Sequence, residues 1–234
     1  MDGPVFLSGG RDARGTLDVT AAGTDESEAS STAAACVVAC PPHPQHRGHR
    51  GDRRLRAVSD ELTAHGTDCF RFDYGPWDGG RGERADALRA VEWAGRRYER
   101  VAVFGYSFGG AVAISAAAHG ADVVAVAALA PPARTGPAGT GSADDSSGTD
   151  DSDDVGSIDT VADLSSLPTS LPVGVFYGTR DDVATVDPVV DCARERGATV
   201  REFSADHFFV GRESQVAAAV VEFLRSALHS DGSR

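Results

Sequence analysis

Apolar positions divide the chain into short unbroken runs and longer periodic stretches that alternate along its length. Residues 33–40, 101–104, 123–129 and 173–177 are continuous or nearly continuous apolar runs, as expected of strands buried on both faces of a parallel sheet. Residues 69–72 and 199–203 add two shorter strands. Helical stretches lie between them. Leu55, Val58 and Leu62 recur at helical spacing over 52–65, and Ala87, Leu88, Val91 and Ala94 do so over 83–97. Further helices are predicted over 108–118, 187–196 and 213–228, the last with Val216, Val220, Phe223 and Leu224 on one side. This alternation predicts an α/β protein with a mainly parallel central sheet and helices on both faces. Residues 4–20, with Gly9 and Gly10 at a turn before an alternating segment, predict an antiparallel hairpin at one edge.

Two stretches depart from the pattern. Residues 23–31 are small and acidic and read as a solvated linker. Residues 134–166 are dominated by Gly, Ser, Thr and Asp, with little to bury and strong self-repulsion. They are expected to form a disordered acidic insertion between two core strands, with a mobile lid as the alternative role. The rest suits one domain spanning 1–234.

Charge narrows the function classes. The formal net charge is −13, and all 22 basic residues are arginine. Repulsion opposes approach to nucleic acid or to an anionic membrane. No apolar run is long enough to span a bilayer, and Met1 to Pro4 opens no leader-like pattern, so a soluble cytoplasmic protein is expected. It would act as a monomer or small homo-oligomer on a small-molecule substrate. Cys36, Cys40, Cys69 and Cys192 read as buried free thiols.

In a parallel α/β sheet, reactive groups gather beyond the carboxyl ends of the strands. Those ends deliver His43, Asp73, Ser107, the pair Asp181 and Asp182, and His207. Ser107 stands in a G-x-S-x-G pattern between a predicted strand and helix, where Gly105 and Gly109 clear space around a strained turn. A serine hydroxyl needs a base to take its proton, and the base needs a carboxylate to orient it. His207 is the candidate base, and Asp181 the favoured acid, with Asp182 the fallback; Asp206 braces the histidine loop. The Phe108 amide, at a helix N-terminus, is one candidate oxyanion donor. The Gln45 amide is the other, on a loop oriented by His43. His43, His46 and His49 have metal-like spacing, but intervening prolines and arginines and the lack of nearby paired acids argue against a metal. No cofactor is implied. Arg47, Arg50, Arg53, Arg54 and Arg56 read as ion-pair partners, or alternatively as a recognition patch for an anionic acyl group. Trp77 either walls the pocket or packs.

The segments Gly105 to Gly110, Gly178 to Asp181 and Ala205 to Phe209 resemble the nucleophile, acid and histidine elements of the α/β-hydrolase superfamily. Pro42 to Gly48 is similar to the oxyanion-loop signature of its small, lidless, dienelactone-hydrolase-like members, except that Pro41 replaces a histidine and Arg47 a glycine. The resemblance covers residues 33–133 and 167–228. It implies an α/β-hydrolase fold, with Ser107 as nucleophile, Asp181 as acid, His207 as base, and Gln45 and Phe108 as oxyanion amides. It implies hydrolysis of a carboxylic ester or similar acyl compound. Amide hydrolysis, acyl transfer and a non-catalytic binding module are the alternatives. A serine nucleophile separates the chain from true dienelactone hydrolases, so their substrate is not implied.

An acidic, lysine-free surface suits concentrated salt, where screening weakens self-repulsion. A salt-adapted protein should lose its circular-dichroism signature on dialysis to low salt and regain it at molar salt; full structure in dilute buffer would refute the expectation.

Overall fold

The computed structural model describes residues 5–20, 33–135 and 157–229. In chain order the strands are β1 (Val5–Phe6), β2 (Arg14–Asp18), β3 (Ala35–Cys40), β4 (Asp68–Asp73), β5 (Arg100–Tyr106), β6 (Val126–Leu129), β7 (Arg134–Thr135), β8 (Ile158–Asp159), β9 (Val173–Gly178) and β10 (Thr199–Phe203). The helices are α1 (Arg53–Ala64), α2 (Arg81–Gly95), α3 (Phe108–Ala118), α4 (Thr160–Ser166), α5 (Asp187–Glu195) and α6 (Glu213–Leu228). Eight strands form one sheet in the order β1-β2-β4-β3-β5-β6-β9-β10. All neighbours from β4 to β10 in that order are parallel, whereas β1 and β2 run antiparallel at the edge. The expected hairpin is therefore present.

The continuous apolar runs work as expected because successive side chains face opposite layers. In β3, Cys36, Val38 and Cys40 join the core under α2 and α3, while Ala35, Val37 and Ala39 join the core under α1 and α6. In β5, Val101 and Val103 face the first layer, and Ala102, Phe104 and Tyr106 the second. Helix α3 is apolar all round because it is buried from Phe108 to Ala116. The cysteines Cys36, Cys40 and Cys69 are buried thiols whose pKa values burial pushes up, in the case of Cys69 to about 12.

The expectation of disorder over 134–166 holds for neither end of that stretch. Arg134–Thr135 pairs antiparallel with Ile158–Asp159, and α4 follows directly. Asp159 caps α4 by accepting from the Ala162 N–H, and Ile158, Thr160 and Leu164 are buried. An apolar face at helical spacing was masked by the acidic residues before it. Residues 136–156, and the linker expected over 23–31, lie outside the described residues.

The edge hairpin is locked to the body by a buried charge cluster. Arg11 donates from Nε to Asp86 (3.0 Å) and from Nη2 to the Pro76 carbonyl (2.6 Å), and lies 3.7 Å from Glu83. Asp86 and Glu83 are fully buried. Their oxygens also accept from the Gly75, Asp78 and Gly80 amides, which fixes the loop between β4 and α2. Removing one partner of such a cluster strands the others as desolvated charges. Arg11→Ala should therefore lower unfolding free energy by about 2 kcal/mol, measured by urea denaturation, since Arg89 still pairs with Asp86.

Candidate active site

The parallel register lines up the strand ends on one rim. Cys40 pairs with Gly105, Tyr106 with Leu129, Leu129 with Phe176, and Gly178 with Phe203. Ser107 follows β5 at this rim and donates its amide to the Leu129 carbonyl (2.8 Å). Its backbone stands at φ 55° and ψ −124°, a region that costs strain for any residue with a side chain. The surroundings impose that conformation. A Cβ at Gly105 would lie 1.9 Å from the Gly109 carbonyl oxygen, and one at Gly109 would lie 2.2 Å from that of Cys40. Only glycine lets α3 start this close to β3 and β5.

Two further loops reach Ser107. After β9, Asp181 turns back so that Oδ1 accepts from the Val183 (3.0 Å) and Ala184 (2.9 Å) amides. This loop is stitched to the one after β10 by the Arg180 amide, which donates to the Ala205 carbonyl (3.0 Å). In that second loop Asp206 accepts from the Phe208 and Phe209 amides, so it braces the turn as expected. His207 then lies between the two: Nδ1 bonds Asp181 Oδ2 at 2.7 Å, and Nε2 bonds Ser107 Oγ at 3.0 Å. With Nδ1–H donating to the carboxylate, Nε2 is the acceptor for the serine hydroxyl. Burial pushes the Asp181 carboxyl up, but the His207 hydrogen bond and the two amides outweigh it and hold its pKa below the usual carboxylate value. Asp182, the fallback acid, is exposed.

The loop after β3 differs in one respect from the expectation. Pro41, Pro42 and Pro44 have no N–H to give. The Gln45 N–H donates to His43 Nδ1 across a long 3.3 Å, capping a short 3₁₀ turn over Pro44–His46. The Gln45 amide is thus engaged by the very ring expected to orient it. The His43 and Phe108 amides donate to no protein acceptor among the described residues. His43 itself stacks against His46 (4.7 Å between centroids), Trp77 (4.4 Å) and Phe108 (4.9 Å). Burial, with His46 alongside, lowers its pKa to about 4, so the ring is neutral near pH 7. Trp77 packs on this stack, with its ring 5.5 Å from that of Phe108.

The remaining candidates serve local structure. His49 Nδ1 accepts from the Gly51 amide (3.0 Å). Asp73 accepts from the Arg50 backbone amide (2.7 Å) and pairs with its guanidinium, which ties the loop after β3 to β4. Arg54 pairs with Asp52, and Arg53 lies 3.8 Å from Glu213. These pairs favour the ion-pairing role of the arginine cluster. Sequence reasoning missed the contribution of Tyr106, whose hydroxyl donates to the His207 carbonyl (3.1 Å).

No protein-family model matches the sequence, and no curated protein matches it. Solved structures do match over nearly the whole chain. A lidless α/β serine hydrolase from Xanthomonas campestris is 20% identical with a TM-score of 0.71, covering 98% of this chain and 96% of its own. An esterase from Pyrococcus furiosus is 15% identical with a TM-score of 0.70, covering 97% and 91%. A dienelactone hydrolase from Anabaena variabilis is 17% identical with a TM-score of 0.66, covering 97% of both. At these identities the likeness is one of architecture, and on that architecture the chain has the fold of the α/β-hydrolase superfamily.

Proposed function

We propose that this chain is a serine hydrolase that cleaves a carboxylic ester or similar small acyl compound through an acyl-enzyme on Ser107. The observation that carries this reading is His207 held between Ser107 Oγ at 3.0 Å and Asp181 Oδ2 at 2.7 Å. Ser107 Oγ attacks the carbonyl carbon while His207 Nε2 takes its proton. Asp181, kept ionised, stabilises the imidazolium that forms. The Phe108 and His43 amides hold the tetrahedral oxyanion. Gln45 is replaced in that role because its amide is already engaged, and His43 is the first residue after β3 with an N–H to offer. His207 next gives its proton to the leaving alkoxide as the C–O bond breaks. Water then attacks the ester on Ser107 with the same histidine as base, and Oγ leaves with the proton. The structural neighbours described as a serine hydrolase and an esterase support the same chemistry.

Ser107→Ala should lower hydrolysis of p-nitrophenyl esters by several orders of magnitude and abolish fluorophosphonate labelling. Activity retained in that variant would refute the assignment. Asp181→Asn should lower kcat by on the order of 10⁴ at neutral pH, because the amide cannot fix the imidazole tautomer. The pH dependence has a definite sign. The depressed pKa of Asp181 means that its stabilising contribution is complete above the unfolded carboxyl value and is lost as pH falls through the folded one. Wild-type stability should therefore fall more steeply on acidification than that of Asp181→Asn, so that the gap between the two narrows, as read by thermal unfolding at stepped pH.

A further inference from the structure

Tyr106 is the last residue of β5 and is joined by a single peptide bond to Ser107. Its side chain turns to the α1 and α6 face of the sheet, where it is 2% exposed. From there it reaches His207 twice. Its hydroxyl donates to the His207 carbonyl at 3.1 Å, and its ring centroid lies 5.4 Å from the imidazole centroid with the planes 35° apart. Arg54, in the first turn of α1, also packs on Tyr106, with its guanidinium carbon 4.5 Å from the Tyr106 ring centroid. Arg54 is itself fixed, because Asp52 accepts from both its backbone amide (2.9 Å) and its Nη2 (2.6 Å). Burial raises the pKa of the Tyr106 phenol, so the hydroxyl stays protonated and keeps its donor.

We propose that Tyr106 is a positioning residue that sets the distance between the nucleophile and its base, with Arg54 holding Tyr106 in place. The inference rests on the reading of Ser107 and His207 as nucleophile and base. Nothing else among the described contacts ties the two so directly apart from the reacting hydrogen bond itself. His207 sits in a turn held by Asp206, with Phe209 at φ 51° just beyond it, and its ring ends meet Asp181 and Ser107. During the reaction Nε2 must release Oγ and serve a leaving group, so the ring bond to serine cannot also hold the loop. A hydrogen bond to the backbone of the same residue does not change with that step. It originates on the strand that carries Ser107, so base and nucleophile share one rigid reference. Phenylalanine would fill the same volume without reaching the carbonyl. Tyr106 is too buried to meet substrate, which separates its effect on turnover from any effect on binding.

The test compares Tyr106→Phe, Arg54→Met and the double variant with wild type. Losing one buried hydrogen bond predicts a kcat for p-nitrophenyl acetate lower by about five- to tenfold in Tyr106→Phe, with KM within about twofold. The rate of fluorophosphonate labelling should fall in parallel while its endpoint stays at the wild-type level, which shows the sites to be folded. Arg54→Met should give a drop of about threefold that does not add to the first in the double variant, as expected for groups acting through one contact. If Tyr106→Phe does not fold, Arg54→Met decides alone by the same readouts. Wild-type kcat in the folded variant would overturn the proposal, even with a lowered melting temperature. A wild-type protein that neither labels nor turns over ester would sink the proposed function instead. In that case the His207 ring-nitrogen resonances still decide this inference: a shift on Tyr106→Phe supports it, and unchanged resonances overturn it.

Discussion

A very close backbone approach lies where α3 begins, and most of the site follows from it. With no side chain on Gly105 or Gly109, the first turn of α3 rests against Gly105 of β5 and the Cys40 carbonyl of β3 at distances that a single methyl group would forbid. The chain can make that turn only by placing Ser107 at positive φ. Strain at one residue thus turns the hydroxyl out of the sheet and leaves the Phe108 N–H at the helix start without an intrahelical partner. The same contact brings the Pro41–His43 backbone beside the elbow, because Cys40 and Pro41 are the residues against which Gly109 packs. The second amide of the proposed oxyanion site is therefore placed by the packing that shapes the first.

A second layer of constraint is electrostatic. Arginines reinforce the contacts between neighbouring elements. Arg11 joins the edge hairpin to α2, Arg71 joins β4 to Asp18 on β2 at 2.5 Å, and Arg50 joins the loop after β3 to β4 through Asp73. Planar guanidinium groups suit this use because they satisfy carboxylates and carbonyls in fixed directions. The loop bearing Trp77 depends on it most. Its Gly75, Asp78 and Gly80 amides are held by the two carboxylates that Arg11 neutralises, so the Trp77 loop that packs on His43 and Phe108 is tied to the sheet edge.

The sheet was legible in the sequence wherever strands are buried on both sides, since a run such as 33–40 has no polar position to confuse it. Ser107, Asp181 and His207 could be nominated because a parallel sheet places post-strand residues on one rim. Three features were not legible. The helix over Thr160–Ser166 is hidden because it abuts an acidic stretch and only Val161 and Leu164 carry its apolar spacing. The engagement of the Gln45 amide depends on which way the His43 ring turns, and that is decided by its stack with Trp77 and Phe108. The Arg54–Tyr106–His207 contact joins three distant segments whose only common feature is the sheet between them.

The three proposed catalytic side chains follow β5, β9 and β10, and Ser107 is separated from His207 by 100 positions. A ribosome releases the nucleophile long before the base. Until β10 has docked on β9, the serine has no proton acceptor at hand and remains an ordinary hydroxyl. On the proposed assignment, chemical competence is thus acquired late in synthesis, and reactivity toward an acyl compound becomes a readout that β10 has docked, available without any spectroscopic probe.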